Sequence, residues 1–208
     1  MFLTGPGYGT ATDRGSSAFD IRHNLSAAAA YRLPGPGLLS GWTLSTTAQA
    51  RTGFPFDVTA VDRSIGLGFA NSGRPDLLPG VPLWIRNAAV PGGRELNPAA
   101  FRAVANGTNG TLGRNVLTGS GLFQVDASVR RQFRLYRASA FEVSVSAFNV
   151  FNRASFSNPI GYLQNSLFGQ PVSMQNLMLG SGTPNAGLTP LFQAGGPRTV
   201  EAGVKFSF

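Results

Sequence analysis

The sequence predicts an all-β chain: about five long antiparallel strands of an incomplete transmembrane β-barrel, with short turns at one end and long loops at the other. Three observations lead there. Five segments alternate apolar and polar residues with period two, the mark of strands with one apolar face. Aromatic residues bracket four of these segments on the apolar side, ten or twelve residues apart. The connections between segments run short, long, short, long, the asymmetry of membrane barrels with short periplasmic turns and long outer loops.

The first strand is expected near 18–33, in "FDIRHNLSAAAAYRL". There Phe19, Ile21, Leu25, Ala27, Ala29, Tyr31 and Leu33 share a face, and Asp20, Arg22, Asn24, Ser26 and Arg32 lie opposite. The second, near 41–52, sets Trp42, Leu44, Ala48 and Ala50 against Ser45, Thr47, Gln49 and Arg51. The third, near 123–135, opposes Phe123, Val125, Ala127, Val129, Phe133 and Leu135 to Gln124, Asp126, Ser128, Arg130, Gln132 and Arg134. The fourth, near 139–152, sets Phe141, Val143, Val145 and Phe151 against Glu142, Ser144 and Ser146. The fifth, near 198–208, puts Val200, Ala202, Val204, Phe206 and Phe208 on one side and Glu201, Gly203, Lys205 and Ser207 on the other. Four residues fall in the apolar phase without fitting it: His23, Thr46, Arg131 and Asn149.

Alternation alone does not choose a solvent, because half-buried strands of soluble sandwiches alternate too. The brackets do better. Phe19 with Tyr31, Trp42 with Phe54, Phe123 with Phe133, and Phe141 with Phe151 frame the first four strands. At ~3.3 Å per residue and a tilt near ~45°, that spacing rises about 23–28 Å. An outer-membrane barrel has an apolar band of about 25 Å between two aromatic girdles, so these eight residues are assigned to girdles. Soluble strands average only about five or six residues.

The loops, 53–122 and 153–197, read as irregular. "FRAVAN" suggests a helical turn, and "NSLFGQPVSMQNLML" a short helix or hairpin. Only 12% of residues are charged, against roughly 25% in ordinary soluble domains. The 27 Gly and 14 Pro favour turns and loops over helices. No segment nears the ~18 apolar residues of a membrane helix, and the opening residues are no signal peptide. Either the chain stays in the cytoplasm or residues precede Met1.

Other chemistries fail on the residues. The net charge of +8 comes from cations scattered singly among Gly, Ser and Phe, without the clusters or motifs of a nucleic-acid binder. With no cysteine and a single histidine, His23, a metal site lacks its three or four convergent ligands, and no Ser–His–acid set exists. No enzymatic activity and no cofactor are expected. "GPGYG" (Gly5–Gly9) lacks the Lys-Ser/Thr of a phosphate loop. The sequons at Asn106 and Asn109 read as Gly/Asn turns. Phe69, Trp84 and Phe101 either touch a substrate or, the preferred reading, pack the loops together.

Seven blocks occur in order: "FDIRHNLSAAAAYRLP", "GWTLSTTAQARTGFPFDV", "GRPDLL", "LNPAAF", "GTLGRNVLTGSGLFQVDASVRRQF", "SAFNVFNRASFSNP" and "GPRTVEAGVKFSF". They resemble the C-terminal end of TonB-dependent outer-membrane receptors, most of all the subgroup with an N-terminal carboxypeptidase-regulatory-like domain. The likeness spans nearly all of 1–208. Two positions depart from it: Gly119–Gly121 reads Gly-Ser-Gly where Gly-Pro-Gly is common, and Ser146 stands where an acidic residue often precedes the Phe-Asn pair.

The resemblance implies a barrel in the bacterial outer membrane, enclosing a plug, that takes up a siderophore, cobalamin or glycan. Its partners would be outer-membrane lipid, the barrel-assembly machinery, and TonB acting only through a plug that this chain lacks. It also implies that Val204, Phe206 and Phe208 carry the assembly signal. Five strands do not close a barrel, since known ones begin at about eight, so a truncated segment starting at an internal Met1, unable to insert by itself, is expected. The inner face would carry Arg22, Arg32, Arg51, Arg130, Arg134 and Lys205 against Asp20, Asp126, Glu142 and Glu201. That is a hydrated wall to pair with a plug, or a surplus of cations to guide an anionic ligand. Two alternatives stay open: part of a passive porin-like barrel, and a soluble β-sandwich binding or adhesion module.

Overall fold

A computed structural model describes residues 13–37, 40–62, 71–105, 108–135, 139–177 and 194–208. The chain divides into two units. One holds 22–52, 121–155 and 174–208; the other holds 1–21, 53–120 and 156–173.

The first unit is a five-stranded antiparallel sheet: β1 (Asn24–Arg32), β2 (Trp42–Arg51), β3 (Leu122–Arg134), β4 (Ala140–Phe148) and β5 (Thr199–Ser207), in chain order across the sheet. The pairing is continuous, so the period-two pattern of each strand is carried to the next in phase. Tyr31, Leu44, Val129, Val145 and Ala202 form one row across all five strands. The next row inward is Ala29, Thr46, Ala127, Ala147 and Val200. On the other face Ala30, Ser45, Ser128, Ser146 and Glu201 line up in the same way.

This is a single layer. Leu25, Tyr31, Val200, Val204 and Phe206 on the apolar face are all at least 60% exposed, and β1 is exposed at each of its nine residues. A soluble sandwich needs those rows covered by a second sheet; here they are not. Nor does the sheet close: β1 and β5 lie at its two ends.

The β1–β2 turn follows from its glycines. Gly37 (φ 79°) and Gly41 (φ 79°) occupy the left-handed region, open to glycine without steric cost. The Leu33 amide donates to the Trp42 carbonyl at 2.8 Å, closing the hairpin. At the β3–β4 turn the Leu135 amide donates to Ser139 at 2.9 Å.

Two strand limits differ from the sequence reading. β1 begins at Asn24 rather than near 18, because Ser17 diverts the chain: its carbonyl accepts from Asp20 N and its hydroxyl from Phe19 N. Such local bonds compete with a ladder. β4 stops at Phe148 rather than near 152, because Asn149 turns to φ 51°, a conformation that Asn tolerates better than most residues.

The second unit departs most from expectation. The supposedly irregular loops fold around a core of Phe56, Val58, Leu96, Ala100, Phe101, Leu112, Leu117 and Phe168. Among the described residues four two-stranded ribbons frame it: Pro55–Phe56 with Leu117–Thr118, Ala60–Asp62 with Asn71–Gly73, Asp76–Leu77 with Phe101–Arg102, and Trp84–Arg86 with Arg94–Leu96. Phe101–Arg102 is therefore strand, not the helical turn read from "FRAVAN", because it has a partner about twenty-five residues upstream. In "NSLFGQPVSMQNLML" the one helical piece among the described residues is the 3₁₀ turn Gln175–Leu177. At Gly169 (φ 80°) a Cβ would stand 2.8 Å from the Leu96 backbone, so the chain can approach there only without a side chain.

Leu96 is fully buried, so Leu96→Ala should cost about 2–5 kcal/mol. Limited proteolysis of the membrane-embedded protein checks this: cleavage after Arg94 and Arg102 should accelerate. A second outcome concerns Asp76. Its carboxylate accepts from Arg102 at 2.9 Å and from the Thr111 amide at 3.0 Å, and these bonds, the guanidinium first, hold it below the usual carboxylate range. The stabilisation is present above the unfolded value of about 3.9 and is lost as pH falls through the lower folded value. Exchange at the Thr111 amide, corrected for its intrinsic rate, should rise below about pH 4, and Asp76→Asn should remove that step.

Candidate functional site

The sheet has two chemically distinct surfaces, and the apolar one carries aromatic residues at both ends. At the end of the short turns, Phe133 stacks on Phe141 with ring centroids 4.7 Å apart, and Phe141 meets Phe206 at 6.0 Å. Trp42, the first residue of β2, stands one row further in, opposite Arg131, and Tyr31, near the end of β1, one row beyond that, opposite Leu44. At the opposite end Phe123 stacks on Phe151 at 6.3 Å, with the Arg153 guanidinium 5.5 Å above the Phe123 ring. Small and β-branched residues fill the space between.

Six of the eight bracket residues thus lie at the sheet ends, and two do not. Phe19 is exposed but sits in the turn before β1. Phe54 is only 4% exposed and belongs to the loop unit. β2 ends at Arg51, and the Phe54 carbonyl accepts from Gly119 N at 3.0 Å, which draws its side chain into protein. Val204 and Phe206 stand exposed on β5, and Phe208 follows it fully exposed.

The four misfits have separate explanations. His23 precedes β1, paired through its backbone with Thr52. The Thr46 hydroxyl donates to the Asp126 carbonyl at 2.9 Å, so its polarity is used between strands. Arg131 lies over the Trp42 and Phe133 rings at 5.7 and 4.6 Å. Asn149 does not face outward at all; it is 2% exposed.

Asn149 anchors a cluster that the sequence reading missed. Its Nδ2 donates to the Gly196 and Arg153 carbonyls at 2.9 and 3.1 Å, and its Oδ1 accepts from Arg153 N at 3.0 Å. Its own amide donates to Asp126 Oδ1 at 2.8 Å, which also accepts from Gln124 Nε2 at 2.8 Å. Gln124 Oε1 in turn accepts from Gly195 N at 2.7 Å. Satisfied in this way, buried polar groups fix one geometry: the end of β4 and the approach to β5 are tied to the start of β3. The signal was present, an Asn directly after an alternating run, but its phase suggested a lipid-facing slot.

The polar face is a shallow wall on which Ser45, Thr47, Asp126, Ser128 and Ser146 line one hollow together with Phe148. Glu142 pairs in register with Lys205. The ion pairs Arg74–Asp13 and Arg102–Asp76, each 2.9 Å, belong to the loop unit. There Trp84 packs against the core under the Arg94 guanidinium at 4.5 Å. Phe101 meets Phe168 edge-on at 5.7 Å, a packing role. Asn109 accepts from the Arg74 amide at 2.6 Å, which gives that sequon residue a structural role. Phe69, Asn106 and Gly5–Gly9 lie outside the described residues.

One uncovered layer, apolar on one face, hydroxylated and charged on the other and edged with aromatic rings, is the wall of a β-barrel whose solvent is lipid. The model of a family described as an outer membrane beta barrel domain matches residues 4–177, and the chain belongs to that family. Its sheet is an incomplete outer-membrane barrel, and its place is the bacterial outer membrane. No curated protein and no solved structure matches the chain.

The two faces should respond oppositely to charge. Val145→Arg, on the apolar face midway between the aromatic ends, should cost about 2–4 kcal/mol. Ser144→Arg, one residue away on the polar face, should be far milder. Heat-modifiable mobility of the full-length protein in its own outer membrane reads the difference.

Proposed function

We propose that this chain is the C-terminal barrel wall of a TonB-dependent receptor, a component of active uptake for a siderophore, cobalamin or glycan, without catalysis of its own. The observation that carries the reading is the folded loop unit. The β2–β3 and β4–β5 connections leave the same end of the sheet, and Phe168 from one packs on Phe101 from the other. A receptor that captures a bulky ligand needs such a structured surface, whereas a passive pore needs only a constriction. The seven ordered blocks of resemblance support the same reading and supply its finer part, the subgroup with a carboxypeptidase-regulatory-like domain.

In this account the hydroxylated inner wall faces a plug through which TonB acts, with Glu142, Lys205 and Glu201 among its charged positions. The outer face meets lipid. Val204, Phe206 and Phe208 are offered to the barrel-assembly machinery as an exposed alternating strand.

An antibody against residues 198–208 tests the proposal in native outer membranes. It should detect one heat-modifiable polypeptide much longer than 208 residues, whose N-terminal peptides by mass spectrometry include a plug and a TonB box. A membrane-inserted product without a plug would replace the receptor with a passive pore.

A further inference from the structure

Among the described residues of the five strands, Arg131 is the one charged side chain on the apolar face. A charge there is expensive unless something offsets it, and this one is placed with care. Arg131 pairs directly with Trp42 on one side and Val143 on the other, one row in from the Phe133–Phe141–Phe206 edge. The Trp42 and Phe133 rings hold the guanidinium at 5.7 and 4.6 Å, and Nη2 reaches the Gly37 carbonyl in the adjacent turn at 3.5 Å. The head is therefore directed to the boundary level while its stem crosses the apolar rows.

We infer that Arg131, seated over Trp42 and Phe133, is a binding site for the phosphate of a glycerophospholipid in the leaflet at the short-turn end. Charge and shape select this occupant. A phosphate diester brings one negative charge and two acceptor oxygens to a planar fork of donors. Exposed Leu44, Val145 and Val204 lie on the rows beside the site and give the acyl chains an apolar bed. The inference rests on membership of the outer-membrane barrel family and is independent of the uptake proposal.

The test uses the full-length protein purified in detergent and titrated with dioleoyl phosphatidylglycerol, with bound lipid counted by native mass spectrometry. Dioleoylglycerol, which has the same tails without the phosphate, is the control ligand and should not fill the site. Arg131→Gln should weaken phospholipid binding on the order of tenfold, and Arg131→Lys by less. Arg134→Gln, on the polar face, should leave it unchanged. Equal binding by wild type and Arg131→Gln, or equal filling by dioleoylglycerol, overturns the inference. Should Arg131→Gln fail to assemble, Trp42→Leu decides: it keeps the charge but removes a ring, and undiminished phospholipid binding refutes the site. Cross-linking of position 131 to a neighbouring protein instead of to a diazirine-tailed phospholipid refutes it as well.

Discussion

Inside hydrocarbon there is no water to satisfy a backbone amide, and each one left unpaired costs several kcal/mol. That constraint governs the sheet. β2 and β4 are paired on both sides along most of their lengths, β3 meets β2 over 122–131 and β4 over 127–134, and the register runs unbroken from β1 to β5. Where amides are committed sideways, side chains have two directions only, outward and inward. The sequence then needs no more than alternation to give one wall a lipid face and a wet face. It also explains why polar residues on the apolar face are so few and so individually placed. Thr46 donates to a neighbouring strand's carbonyl, and Arg131 stands among rings at the boundary level.

The connections follow different physics. In the loop unit, ribbons of two or three residues carry few ladder bonds, so apolar burial around Leu96, Val58 and Phe101 holds the unit together. At the loop end of the sheet, hydrogen bonds do the joining instead. The Gln124–Asp126–Asn149 cluster ties three chain segments through buried polar atoms that find partners. A barrel wall can thus carry long insertions without loosening, because its rim is fixed before the loops depart.

What could be read from residues alone was the regular part. Period-two runs put five strands, their facing and their order within a few residues of where they lie, since phase survives pairing. Where local chemistry competes with the ladder, the reading slipped. Ser17 captured the backbone ahead of β1, and Asn149 took a left-handed turn that no alternation reports. Phe54 has the spacing of a girdle residue, yet the close Gly53–Gly119 backbone approach belongs to a chain already leaving the sheet. The loop core was illegible for another reason. Its pairs, such as Asp76–Leu77 with Phe101–Arg102, are two residues long and far apart in sequence, too short to show a period.

The central claim is that β3 separates lipid from water residue by residue. These 208 residues hold no cysteine, so a single introduced cysteine can carry a spin label at each position from 122 to 134, in the full-length protein with any cysteine elsewhere replaced, in its own outer membrane. Collisions with oxygen, which concentrates in hydrocarbon, should peak at 123, 125, 127, 129 and 133. Collisions with a water-soluble nickel chelate should peak at the even positions from 128 to 134, whereas Leu122 and Gln124 are buried. A flat profile, or odd positions shielded from both reagents as in a protein core, would contradict the account.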